Sequence, residues 1–149
     1  MSNKELFKIL VERIASEIII PNDVVKIGEN AFQLYSNLKN ITLPNSITSI
    51  GKYAFYGCSG LTSITIPSSV TSIENSAFNN CSNLTTVTFN QPNGMTVSLP
   101  TAGSGSGMLY NKTAREVTIY TDNETIKNYD WATDNVTPTF YHLDGTAWA

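Results

Sequence analysis

The chain has one histidine, His142, and two cysteines, Cys58 and Cys81. Two cysteines with a single histidine distant in sequence do not make a zinc site. No serine or cysteine sits in a nucleophile elbow or beside a recognisable base. Asp122 and Glu124 are close in sequence, as are Asp130 and Asp134, but turn-forming acidic residues explain both pairs without acid–base work. Glycines at 103, 105 and 107 do not fit G-x-G-x-x-G, and no G-K-[ST] follows, so a phosphate cradle is not indicated. The sequence thus nominates no catalytic, cofactor-binding or metal-binding residues. Sequons at Asn40, Asn83, Asn111, Asn123 and Asn135 follow from an Asn/Thr-rich composition and matter only in a eukaryotic secretory pathway.

The informative pattern is architectural. Ile18-Ile-Ile-Pro-Asn-Asp-Val-Val-Lys-Ile-Gly-Glu-Asn-Ala-Phe32 is followed in register by Ile41 to Phe55 and then by Ile64 to Phe78, a period of 23 residues. Pro21, Pro44 and Pro67 coincide, as do Ile27, Ile50 and Ile73; Ala31, Ala54 and Ala77; Phe32, Phe55 and Phe78; and Leu38, Leu61 and Leu84. A period in the twenties marks a stacked solenoid. In Leu61-Thr-Ser-Ile-Thr-Ile-Pro67 the alternation of Ile64 and Ile66 with Thr65 predicts a strand with one buried face. Pro67, lacking an N–H, ends it. Val70-Thr-Ser-Ile73 predicts a second short strand, and Ala77-Phe78 leads through a polar turn to Leu84. One such coil cannot bury its apolar face alone, so stacking supplies the core.

These residues resemble the BspA-like leucine-rich repeats, whose pattern runs I-x-I-P-x-x-V-x-x-I-G-x-x-A-F-x-x-C-x-x-L. The match covers residues 18–89, with Tyr35 where the later copies have Cys58 and Cys81, and Glu74 where Gly28 and Gly51 stand. The resemblance implies a short right-handed leucine-rich-repeat solenoid, mainly β with a helical cap, closed at both ends. Tyr35 suggests a first copy adapted to a cap. Glu74 puts one turn geometry in question. Cys58 and Cys81 fall one coil apart at the same rung position, about 5 Å between Cα atoms and within disulfide range; pointing into one apolar column, they read as reduced thiols.

Four segments follow. Residues 1–17 read as an amphipathic capping helix, with Ser2 and Glu5 at capping-box spacing and Leu6, Leu10, Ile14 and Ile18 recurring every four residues. Its charges, Glu5, Glu12, Arg13 and Glu17, argue against a signal peptide. Residues 18–90 hold three repeats. Residues 91–116 read as an irregular, enlarged coil with an exposed Gly/Ser loop. Residues 117–149 read as an aromatic C-terminal β cap in which Val117 and Ile119 take the inward register of Ile64 and Ile66, Tyr129, Trp131, Phe140 and Tyr141 form a lid, and Trp148 is an exposed contact or a disordered end.

With 149 residues the chain is one ordinary domain, 41% hydrophobic but 14% charged, and its net charge of −3 gives no footprint for nucleic acid. No stretch is apolar enough to insert in a membrane. Two surfaces are candidates for recognition. One is a hydroxyl-rich sheet face built from Thr42, Thr65, Thr88 and Thr118, flanked by Thr62 and Thr85, although threonine also simply suits exposed strands. The other is the loop Gly103, Ser104, Gly105, Ser106, Gly107, since mobile loops on rigid scaffolds often carry recognition.

The reading is therefore a non-enzymatic interaction module without cofactors, contacting protein or surface glycan; a homo-oligomer is compatible with it. What the family resemblance implies is surface attachment, as in bacterial adhesins and accessory proteins of phages. The short chain, with no export signal expected, favours a phage or prophage virion component over a cell-surface adhesin or a cytoplasmic scaffold.

Overall fold

The structure is a computed structural model that describes residues 15–100, 107–111 and 113–148. Among the described residues nine strands follow in order: β1 (Glu17–Ile19), β2 (Lys26–Ile27), β3 (Asn40–Thr42), β4 (Ser49–Ile50), β5 (Ser63–Ile66), β6 (Ser72–Ile73), β7 (Thr86–Phe89), β8 (Arg115–Thr121) and β9 (Val136–Tyr141). A one-turn helix, α1 (Glu124–Lys127), and a 3₁₀ turn (Trp131–Asp134) lie between the last two. Each coil contributes one strand to a main wall, paired β1-β3 and β5-β7-β8-β9, and the first three coils contribute a second strand to a narrower wall, β2-β4-β6. All of these pairings are parallel, and in the repeats they join residues 23 apart: Ile18 with Ile41, Ile27 with Ile50, Ile50 with Ile73, Ile64 with Val87.

The turn side is tied in the same way. Backbone bonds run from Phe32 N to Ala54 O, Phe55 N to Ala77 O and Phe78 N to Met108 O, at 2.7, 2.7 and 3.0 Å. Closing a coil within 23 residues demands tight corners, and each repeat supplies two left-handed residues there: Asn30 and Leu34, Tyr53 and Gly57, Ser76 and Asn80. Non-glycine residues carry local strain in that conformation, offset by the stacking bonds that hold them. Glu74 leaves the corner intact, and its carboxylate accepts the Lys52 N–H of the coil below.

Every coil sends the same side chains inward. Phe32, Phe55 and Phe78 form a ladder of near-parallel rings with centroids 5.2 and 5.1 Å apart. Leu38, Leu61 and Leu84 stack beside it, all buried, as do Ile27, Ile50 and Ile73. Cys58 and Cys81 are free, buried thiols. Each donates to the phenylalanine carbonyl of the coil below, Cys58 Sγ to Phe32 O at 3.1 Å and Cys81 Sγ to Phe55 O at 3.0 Å. Hydrogen bonding with Cys58 and then burial push the Cys81 thiol up, which keeps it protonated and inert. In the first coil Tyr35 takes this place, and its hydroxyl reaches Ala15 O at 2.9 Å.

Several expectations change. The predicted N-terminal helix falls mostly on residues 1–14, outside the described residues; of its last residues, Ala15 and Ser16 are not helical and Glu17 already begins β1, which pairs with β3. The register of β8 is shifted by two. Ile119 lies opposite Val87, in the Ile64 column, while Thr121 rather than Ile119 faces Phe89 in the Ile66 column. A two-residue slide preserves inward and outward alternation, so the sequence pattern does not detect it. Trp148 is not a free end: its Nε1 donates to Thr121 O, its ring stacks on His142 at 4.1 Å, and Lys127 Nζ sits 4.2 Å from its centroid. The tail thus folds back over the last edge, with Ala147 bridging antiparallel to Tyr141. Of the expected lid, Trp131 packs edge-on to Phe89, Tyr129 and Phe140, whereas Tyr141 stacks on Tyr120 on the outer sheet face.

Phe55, fully buried between two other rings, is the most sensitive rung. Phe55→Ala leaves a cavity that neither neighbour can fill without breaking the coil spacing, and should cost about 3–5 kcal/mol. Chemical denaturation read by far-UV circular dichroism checks this value.

Candidate functional site

The outer face of the main wall is built by strand alternation alone. Residues flanking each buried isoleucine or valine project outward, and the ladder aligns them in two columns. One runs Ile19, Thr42, Thr65, Thr88, Tyr120, Tyr141; the other runs Glu17, Asn40, Ser63, Thr86, Thr118, Thr139, so that formal charge on these columns stands only at their first-coil end. Thr118 therefore does not extend the Thr42–Thr65–Thr88 row. It pairs with Thr86, and Tyr120 takes the expected place, for the same two-residue shift of β8. The result is a row of threonines ending in two stacked tyrosines with centroids 5.5 Å apart. Thr62 and Thr85 are exposed just before β5 and β7, where Thr85 N donates to Thr62 O.

The hydroxyls on the two walls are used differently. On the narrow wall Thr48 Oγ1 donates to Val25 O and Thr71 Oγ1 to Thr48 O, a staircase tying each coil to the one below. Among the described residues, the hydroxyls of Thr42, Thr65 and Thr88 make no such bond. Of the proposed recognition loop, residues 103–106 lie outside the described residues, and Gly107 is buried. Gly107 belongs to the fourth coil, accepting from Ser76 N at 3.2 Å, and a Cβ there would collide with the Asp134 carboxylate.

A second surface, which the sequence reading missed, lies on the turn side. Gln33, Tyr56, Asn79 and Tyr110 occupy equivalent places on successive coils, as the bonds Leu34 N to Tyr56 O, Gly57 N to Asn79 O and Asn80 N to Tyr110 O show. Where the second and fourth coils have tyrosine, the third has the amide Asn79, with Ser76 beside it. The gap is a groove of about 420 Å³. Tyr53 packs edge-on to Tyr56 at 5.6 Å, and Asn80 Nδ2 donates to the Tyr56 hydroxyl at 2.9 Å, so that wall is braced. Tyr110 follows the long insertion after Asn90, which hides its repeat position in the sequence.

The fourth coil is held open by a buried polar cluster. Asp134 Oδ2 accepts from Leu109 N at 2.9 Å, and Met108 N donates to the Tyr129 hydroxyl at 3.2 Å. Arg115 donates through Nη1 to Cys81 O and Leu84 O, both at 2.6 Å, and through Nη2 to Leu109 O at 3.1 Å. Burial lowers the pKa of Arg115 and pushes the Tyr129 phenol up to about 12. Burial also raises Asp134 to about 6, opposed by the Leu109 amide and Arg115. Asn123, which the sequence marks only as a sequon, is buried: it caps α1 by accepting from Thr125 N and Ile126 N, and its Nδ2 donates to Pro92 O and Met95 O at 2.8 Å. His142, isolated in sequence, meets Asp122 with Nδ1 2.8 Å from Oδ1. Among the described residues no cluster of three or more His, Cys, Asp or Glu could hold a metal ion, and no helix is long and apolar enough to cross a membrane.

Parallel rungs of about two dozen residues, two strands to a repeat, and inward ladders of Phe, Leu and Ile define a leucine-rich-repeat solenoid. The chain belongs to the BspA type leucine rich repeat family, whose six-copy model matches residues 11–137, so the match runs on past Asn90, where the 23-residue register is hidden. Among solved structures, the pneumococcal vaccine antigen PcpA aligns with a TM-score of 0.55 and 22% identity, over 90% of this chain and 36% of the antigen's. At that identity the likeness is one of fold, and the chain spans about a third of the antigen's length. A search of curated proteins finds no match.

The Asp134 cluster makes a checkable prediction. Because the folded carboxyl titrates near 6 against 3.8 for the ordinary group, the fold holds a proton that the unfolded chain releases. Its contribution to stability is therefore greatest below about pH 4 and is lost as pH rises through about 6. Asp134→Asn should narrow its stability deficit, or widen its gain, relative to the parent as pH rises from 4 to 7, measured by urea denaturation at both pH values.

Proposed function

We propose that this chain is a non-enzymatic recognition module that contacts a protein on a cell or particle surface through the Thr–Tyr face of its main wall. The observation that carries this reading is the face itself: Thr42, Thr65, Thr88, Tyr120 and Tyr141 in one row, beside Ser63, Thr86, Thr118 and Thr139, with no formal charge among them. Interface cores are depleted in charge and enriched in tyrosine. The stacking of the strands fixes the backbone of this face before contact, which lowers the ordering cost of binding to that of the side chains. BspA type membership supports an interaction role, and a shared fold with a named vaccine antigen supports an extracellular setting. We further propose a phage or prophage particle as that setting, where many copies would give avidity to weak single contacts.

Labelled chain should bind intact bacterial cells saturably, and antibody raised against it should decorate purified particles. Thr65→Arg places an unpaired charge at the centre of the face and is expected to weaken cell binding by about tenfold or more, with the melting temperature unchanged. Equal binding by the variant would remove the face from the reading, and partners found in lysate alone would favour a cytoplasmic scaffold.

A further inference from the structure

We propose that the groove over the third coil binds one neutral pyranose unit of a glycan, a contact separate from the sheet face and independent of its role. The walls are phenol rings. Tyr56 and Tyr110 stand two coils apart, and at the 5.1–5.2 Å spacing of the phenylalanine ladder their backbones are about 10 Å apart. Between them the floor is set back, because Ser76 and Asn79 are small and almost fully buried. A volume of about 420 Å³ lies within the range of small-molecule sites.

The chemistry of the lining selects the ligand. Gln33 and Asn79 supply amides and Ser76 a hydroxyl, and the Tyr56 oxygen already accepts from Asn80, which leaves its own proton to donate. None of the lining residues carries a formal charge at neutral pH; Lys52, whose ammonium lies 4.9 Å from the Tyr53 ring, is not among them. The lining itself offers an anionic ligand no counter-charge, and a purely apolar ligand would set no hydrogen-bonding group against its amides and hydroxyls. A proline-rich peptide could stack on the tyrosines but offers the amide oxygens no proline N–H. A pyranose presents C–H faces to the rings and hydroxyls, as both donors and acceptors, to the floor. The brace on Tyr56 and Tyr53 means that one wall is formed before the ligand arrives.

The test is a ¹H–¹⁵N titration of the full chain with the methyl glycosides of glucose, galactose, mannose and N-acetylglucosamine. At least one should shift the amides of Asn79, Asn80 and Tyr110 in a saturable, millimolar response. Tyr110→Ala should weaken that response tenfold or more, and Tyr56→Phe, which removes only a hydroxyl and keeps the packing, threefold or more. Thr65→Arg should leave it unchanged, which separates this site from the sheet face. The proposal is overturned if none of the four glycosides perturbs these amides, if both tyrosine variants bind as the parent does, or if a proline-rich peptide or a sialic acid glycoside saturates the groove instead.

Discussion

The whole architecture depends on coil-to-coil spacing. Parallel backbone bonding on three sides holds each coil about 5 Å above the last, and only side chains that tolerate this spacing can share a column. Phenylalanine does so as a ladder with rings within 6° of parallel and centroids 5.1–5.2 Å apart, a separation set by the backbone and within the range that stacked rings favour. Where the constraint relaxes, past the third coil, the aromatics return to edge-on packing around Trp131. The thiols show the same logic. Cysteine is small enough to fit beneath a phenylalanine carbonyl of the neighbouring coil and weakly polar enough to donate to it.

Ending such a stack is the harder problem, because an open last coil exposes both an apolar column and a row of unpaired strand groups. The C-terminal part meets both. Trp131 and Phe140 cover the column below Phe89, and Asp134 accepts the Leu109 N–H that a further coil would otherwise have to meet. Strand β9 carries Pro138, which has no N–H and is tolerated at an edge, and the returning tail with Trp148 lies across that edge. The half-buried Arg115 and the buried Asp134 are a local departure from a dry interior: they satisfy carbonyls and amides left over where the fourth coil is longer than the others.

This division explains which surfaces could be useful. The narrow wall spends its threonine hydroxyls on holding coils together, whereas the main wall presents Thr42, Thr65 and Thr88 outward. The turn side would be a uniform ridge if every copy had the same residue at the Gln33 position; substitution of tyrosine, asparagine and tyrosine on consecutive coils makes a groove instead. Identical rungs build the scaffold, and differences between rungs make sites.

The repeats from Ile18 to Phe89 were legible because their period is intact: the strands, the inward Ile, Leu and Phe columns and the buried thiols all follow from matching residues 23 apart, since equal chemistry at equal spacing can be satisfied only by stacking. Beyond Asn90 an insertion breaks the count, and alternation alone cannot distinguish registers two residues apart. Only the folded chain therefore decided that Tyr120 rather than Thr118 extends the threonine row, that Tyr110 faces Tyr56 across the third coil, and that Asp122 meets His142. Each of these joins residues whose separation departs from the repeat, and it is the tertiary packing of unequal coils, not any local preference, that brings them together.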